Sequence, residues 1–149
     1  MTLYTFQHQR WLPTDRLTVF SFFADARNLE AITPPWLNFQ ILTPGEIHMR
    51  PGALIDYRLR VHHIPLRWQT EITRWQPSVC FVDEQRRGPY RLWRHTHTFS
   101  DRDGGTLCRD EVQYAVPGGR LVNWLVRRDL EEIFAYRAAA LRRLFAAAA

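Results

Sequence analysis

Two histidines one residue apart, His95 and His97, stand between two aspartates, Asp83 and Asp110, in a stretch that alternates apolar and polar residues. Residues two apart on an extended strand point to the same side. The imidazoles therefore share a face, and the phase of the alternation puts Asp83, Gln85 and Asp110 on it too. The rest of that face is apolar and aromatic: Tyr57, Trp68, Phe81, Trp93, Phe99, Val112 and Tyr114. A polar cluster in such a lining can anchor the polar end of a small ligand. A histidine flanked by carboxylates is also expected to have a raised pKa and to serve as acid or base. His95, His97, Asp83 and Asp110 are thus the candidates for catalysis. The competing reading is a satisfied hydrogen-bond network inside the core. Polar residues are rarely grouped on a core face, which favours ligand anchoring.

Other chemistries find less in the sequence. His95 and His97 with Asp83 or Asp110 could supply three zinc ligands. Short H-x-H pairs on strands are common without metal, however, and no thiolate is convincingly placed nearby, so no metal and no other cofactor is expected. The serines are Ser21, Ser78 and Ser100, none in a G-x-S-x-G setting. All 20 basic residues are arginine, which excludes a P-loop lysine, a Schiff-base lysine and a lysine base. Cys80 and Cys108 form no C-x-x-C pair and sit in strand-like runs, so buried free thiols are expected. Gly104-Gly105 and Gly118-Gly119 mark a turn and a helix start, with no phosphate-cradling pattern around them.

Positioning the polar face takes a sheet. Residues 3–11 read as a first strand. Pro13-Thr14-Asp15 starts a helix in which Leu17, Phe20 and Phe23 recur at helical spacing, and a second short helix covers 26–31 until Thr33-Pro34-Pro35 ends it. Residues 36–43 look extended. From Gly52 to Val116 apolar residues recur every second position, broken by turn signals at His62-His63-Ile64-Pro65, Gly88-Pro89 and Asp101 to Gly105. Short connections of this kind imply an antiparallel meander. After Pro117-Gly118-Gly119 comes a long amphipathic helix with Val126, Leu130, Ile133, Phe134, Leu141 and Leu144 on one face. At 1.5 Å per residue its length is roughly 38 Å, enough to cross the sheet and cover its concave apolar side.

Register decides which polar groups meet. Pairing Phe99 with Thr106 puts His95 opposite Asp110, and an odd-length loop or bulge at Gly88-Pro89 puts Asp83 opposite His95. The expected row is Asp83, His95, Asp110, with His97 one step along. A two-residue slip would exchange the histidines and keep the cluster. His62-His63 is expected to be solvated in its turn. Arg58, Arg60, Arg67, Arg86, Arg94 and Arg109 fall on the outer face among Asp56, Glu71, Glu84 and Glu111, as cross-strand ion pairs would. Arg127, Arg128, Arg137, Arg142 and Arg143 are expected mainly on the wet side of the last helix.

The 149 residues suit one domain, residues 1–149, and the 46% hydrophobic and 23% charged balance is globular. The net charge of +5 permits an acidic partner. Arginine without lysine, together with the alanine run Ala146 to Ala149, reads instead as the codon bias of a G+C-rich genome. Nucleic-acid binding would want aromatic platforms among the outer arginines, and none is expected there. The N-terminus lacks the regions of a signal peptide, and no apolar run approaches the roughly 20 residues of a membrane span. A cytoplasmic protein without a membrane span is expected.

The element order resembles the helix-grip superfamily of polyketide cyclase/dehydrase, START and Bet v 1-like proteins. The segments that carry the resemblance are Thr33-Pro34-Pro35-Trp36-Leu37, Gly52 to Tyr57, Gly88 to His97, and Gly105 to Asp110 leading to Tyr114 and Pro117-Gly118-Gly119. Within it the chain is most similar to small bacterial polyketide-cyclase-like proteins. The resemblance implies an α+β helix-grip fold: a curved antiparallel sheet wrapped around a long C-terminal helix, with a hydrophobic cavity between them. Relatives use that cavity to carry lipids, quinones or hormones, and some cyclise polyketides. The expected function is binding of a small hydrophobic or aromatic molecule. The ligand-binding residues would be Tyr57, Trp68, Phe81, Asp83, Gln85, Trp93, His95, His97, Phe99, Asp110, Val112 and Tyr114. The alternatives are a cyclase or dehydratase using a His/Asp pair, and a basic interaction module acting through the outer face.

Overall fold

A computed structural model describes residues 1–146; the alanine tail beyond Ala146 lies outside the described residues. Strand β1 (Tyr4–Leu12) is followed by helix α1 (Arg16–Ala24), whose first turn is closed by the Asp15 carboxylate accepting from the Thr18 N–H at 3.0 Å. Val19, Phe20 and Phe23 are the buried residues of α1; Leu17, expected among them, is exposed. The second short helix is a 3₁₀ segment, Ala26–Ile32. Residues 36–43 are not one extended run. Pro34-Pro35 starts another 3₁₀ turn, Pro35–Leu37, which ends at Asn38 in the left-handed conformation and leaves only β2 (Gln40–Ile41) as strand.

Then come β3 (Leu54–Val61), β4 (Ile64–Gln76), β5 (Cys80–Arg87), β6 (Leu92–Arg102), β7 (Gly105–Ala115) and helix α2 (Gly119–Leu144). The seven strands form one antiparallel sheet in the order β1-β7-β6-β5-β4-β3-β2, an α+β helix-grip fold. Bulges in the β4–β5 pairing, between Gln69 and Thr70 and between Ile72 and Arg74, add to the twist and bend of the sheet. The second bulge also changes the phase of alternation, so that Trp75 joins Phe81 against Phe20 in the core. Helix α2 lies in the concavity. Leu130 and Phe134 pack on Phe6, Val112 and Tyr114, while Ala140 and Leu141 join Leu12, Phe20, Phe23 and Phe99; Leu144 is exposed. Among the described residues no helix is long and apolar enough to cross a membrane. Cys80 and Cys108 are free and buried.

The β6–β7 register differs by two residues from the sequence-based pairing: Phe99 pairs with Cys108, not Thr106, and His97 faces Asp110. The cause is the turn. Arg102 pairs with Gly105, so only Asp103 and Gly104 form the loop, both at positive φ (47° and 75°). This is the two-residue Asp-Gly hairpin whose backbone matches strand twist, and the strands run closer to it than the polar stretch suggested. His62 and His63 (φ 49° and 67°) likewise form a bare two-residue turn, so Ile64 and Pro65 belong to β4. Outside, Arg86 meets Glu71 at 2.9 Å and Arg94 meets Glu84 at 3.7 Å, as expected. Arg58, Arg60, Arg67 and Arg109, by contrast, make no ion pair among the described residues, and Arg58 bonds the Gln40 side chain instead. Contrary to expectation, one aromatic is exposed with the odd-numbered residues of β1: Trp11, whose indole N–H donates to the Arg102 carbonyl at 2.8 Å.

Candidate functional site

Between α2 and the β3–β6 half of the sheet lies a cavity of about 710 Å³. Its walls follow from the alternation. Tyr57 (β3), Trp68 (β4), Phe81 (β5) and Trp93 (β6) face inward, and α2 presents Val126, Leu130, Ile133 and Phe134 from its opposite side. Trp68 is the hub of the aromatic wall, with Tyr57 stacked at 5.8 Å and Trp93 edge-on at 5.3 Å between ring centroids. Leu37, Phe39 and Met49 close the β2 side.

The polar cluster sits at one end of this cavity. Asp83 pairs with His95 across β5–β6, as expected, and His97 pairs with Asp110 across β6–β7. The side-chain contacts run along the other diagonal: the His97 Nε2–H donates to Asp83 at 2.6 Å, and the His95 Nε2–H to Asp110 at 2.7 Å. The imidazoles stack with centroids 3.6 Å apart. Behind them Arg10 of β1 meets Asp110 at 2.5 Å, both side chains buried.

The electrostatics reverse one expectation. Burial, reinforced by neighbouring His95, lowers the His97 pKa to about 4 rather than raising it. Desolvation outweighs the carboxylates. Burial opposes the ionised forms of Asp110 and Asp83, but Arg10 and the histidines hold Asp110 well below its ordinary value, and the His97 hydrogen bond holds Asp83 below its own. His97 is neutral at pH 7 beside two carboxylates. One ligand atom from each of Asp83, His95 and His97 lies within 4.8 Å of the others, a spacing that could hold a metal. Such an ion would have to replace the Asp83–His97 hydrogen bond.

Of the twelve residues expected at the site, Tyr57, Trp68, Phe81, Asp83, Trp93, His95 and His97 line the cavity. The others do not. Gln85 ties down the loop after β5, accepting from the Tyr90 N–H (3.1 Å) and donating to its carbonyl (2.7 Å). Phe99 packs against Phe20 and Phe23. Asp110 lies behind the histidines, Val112 under α2, and Tyr114 donates its hydroxyl proton to Asn123 at 2.6 Å. Two arginines escaped the sequence reading. Arg10 is in phase with Phe6 and Leu12 on β1, so period two applied to that strand would have found it. Arg137, expected on the wet side, lines the cavity one turn after Ile133 and Phe134. His62, although mostly exposed, bonds Asp129 of α2 at 3.0 Å, joining the β3–β4 hairpin to the helix at the cavity edge.

The fold recurs widely among solved structures. Protein CV1439 from Chromobacterium violaceum superposes with a TM-score of 0.76 at 14% identity, over 97% of this chain and 99% of that one. Major latex-like protein 151 from Panax ginseng gives 0.71 at 10%, over 97% and 99%. Ara h 8.0201 gives 0.66 at 14%, over 94% and 98%. At these identities the likeness is one of fold. No curated protein sequence matches the chain. Residues 13–142 match a family described as polyketide cyclase / dehydrase and lipid transport, which spans the α1-to-α2 frame and every cavity-lining residue named above. The chain belongs to the polyketide cyclase / dehydrase and lipid transport family.

Proposed function

We propose that the chain is one ligand-binding domain that holds a small hydrophobic or aromatic molecule, lipid, quinone or polyketide-like, between the sheet and α2. The observation that carries this reading is the cavity of about 710 Å³: an aromatic wall from four strands, a polar cluster at one end, and a volume in the usual range for small-molecule sites. Membership of a family that includes lipid transport supports it. The ligand's apolar body lies against Tyr57, Trp68 and Trp93, and its polar group reaches Asp83, His95 and His97. Titration with the neutral dye N-phenyl-1-naphthylamine tests it. Saturable binding with quenching of tryptophan fluorescence is expected, weakened roughly tenfold in Trp93→Ala, which removes one aromatic wall. Non-saturable association would sink the proposal.

The orientation of His95 favours a second reading, a cyclase or dehydratase. In the neutral tautomer whose Nε2–H is held by Asp110, Nδ1, which lies 3.8 Å from Asp83 at the cavity, would carry the lone pair. That is the arrangement of a general base oriented by a carboxylate. Mass spectrometry of a linear polyketide-like compound after incubation separates the two. Recovery of the compound unchanged supports carriage, and a product lighter by one water supports the enzyme.

A further inference from the structure

One guanidinium in the cavity is left without a hydrogen-bonding partner among the described residues. Arg137 lines the cavity from α2, and its Nε is sealed from solvent with no hydrogen-bond partner among the described residues. Asp129 of the lining is bonded to His62, Glu132 is exposed, and the two inner carboxylates are engaged elsewhere. Asp110 is bonded to Arg10 and His95, Asp83 to His97, and Arg137 takes part in none of these pairs. Its close neighbour is an aromatic face, Phe134, whose ring centroid lies 5.2 Å from the guanidinium carbon. Position 137 is half-buried and lies beside the buried stripe of α2, three residues after Phe134 and four before Leu141. An apolar side chain would suit that stripe better. A guanidinium there keeps its charge and presents five donors, and a buried charge is costly unless something pairs with it.

We propose that Arg137 is the anion-recognition residue of this cavity, and that the ligand class it selects is an apolar or aromatic acid. The inference deepens the ligand-binding reading above and rests on it. The acid group lies against the guanidinium with charge-assisted hydrogen bonds, and the hydrocarbon body extends toward Trp68 and Trp93. Asp83 is bonded to His97 and makes no hydrogen bond or ion pair with Arg137.

Two dyes with one aromatic body test the assignment: neutral N-phenyl-1-naphthylamine, and 1-anilinonaphthalene-8-sulfonate, which adds a single anionic group. Each is titrated into the full chain, into Arg137→Met and Arg137→Lys, and into Arg128→Met, which removes an exposed arginine of the same helix. The sulfonate is expected to bind the wild type about tenfold or more tighter than the neutral dye. Arg137→Met loses that preference but keeps its affinity for the neutral dye, which also shows that it folds. Arg137→Lys keeps part of the preference, and Arg128→Met keeps all of it. Equal affinities in the wild type, a preference that survives Arg137→Met, or one that disappears in Arg128→Met would each overturn the anion assignment and leave hydrophobic-ligand binding standing. Failure of both dyes to bind the wild type overturns both readings.

Discussion

At His97 the surroundings decide between two opposed effects. Two carboxylates should favour the imidazolium, but removal from water disfavours it more, and the value falls to about 4 from 6.5. Between these values the unfolded chain binds a proton that the native state refuses. The stability this group contributes is therefore complete above about pH 6.5 and is lost as pH falls from 6.5 toward 4. Asp83 and Asp110, held below their ordinary 3.8, add their own loss only at lower pH still. Thermal melting should show a Tm that is flat near neutrality and falls by several degrees between pH 6.5 and 4. In His97→Gln, where Gln can still donate to Asp83, most of that decline should vanish. An equal decline in both proteins would place the acid sensitivity in another group. Period two alone puts all four residues of the cluster on one face. The direction of the His97 shift depends on what covers that face, which no local pattern records.

At the scale of elements, the β1–β7 ladder and the hairpin turns decide which side chains meet. Gly105 opens β7 beside β1, and a Cβ there would stand 2.7 Å from the Trp11 ring and closer still to the Leu12 carbonyl oxygen. Backbone cannot yield as a side-chain tip can. Gly105→Ala should destabilise by about 1–3 kcal/mol, as overpacked sites do. That corresponds to a fall in Tm of roughly 2–4 °C for each kcal/mol at this chain length. A Tm unchanged within error would show that β1 and the hairpin separate at that end without cost. Apart from the 3₁₀ turn Pro35–Leu37, which replaces part of an expected extended run, the alternation, the helix starts and the element order were readable in the sequence, because each follows from local periodicity and turn chemistry. The β6–β7 register was not. It depends on whether Asp101 and Arg102 extend the ladder or belong to the loop, and their polarity is compatible with both.

For the whole molecule, charge and topology give the remaining expectation. The chain carries a net +5, but on the outer sheet face Arg86 and Arg94 are held by Glu71 and Glu84. Trp11, exposed on β1, has its indole N–H committed to the hairpin backbone. Duplex DNA should therefore bind only weakly and lose that binding as salt approaches physiological strength. Sub-micromolar affinity at physiological salt, measured by fluorescence anisotropy, would instead favour an interaction module. The sequence by itself determined the element types outside residues 35–39, the concave apolar face and the cluster of His95, His97, Asp83 and Asp110, since strand alternation and turn residues act over a few positions. The tertiary structure alone decided three things. It set β1 beside β7, bringing Arg10 to Asp110 across 100 residues of chain. It turned Arg137 inward on a helix whose stripe of larger apolar residues is interrupted there. It fixed the volume and the walls of the cavity between α2 and β3–β6 that the resemblance implied. These outcomes depend on how one surface covers another, and side-chain volume and burial are properties of the assembled layers rather than of any one segment.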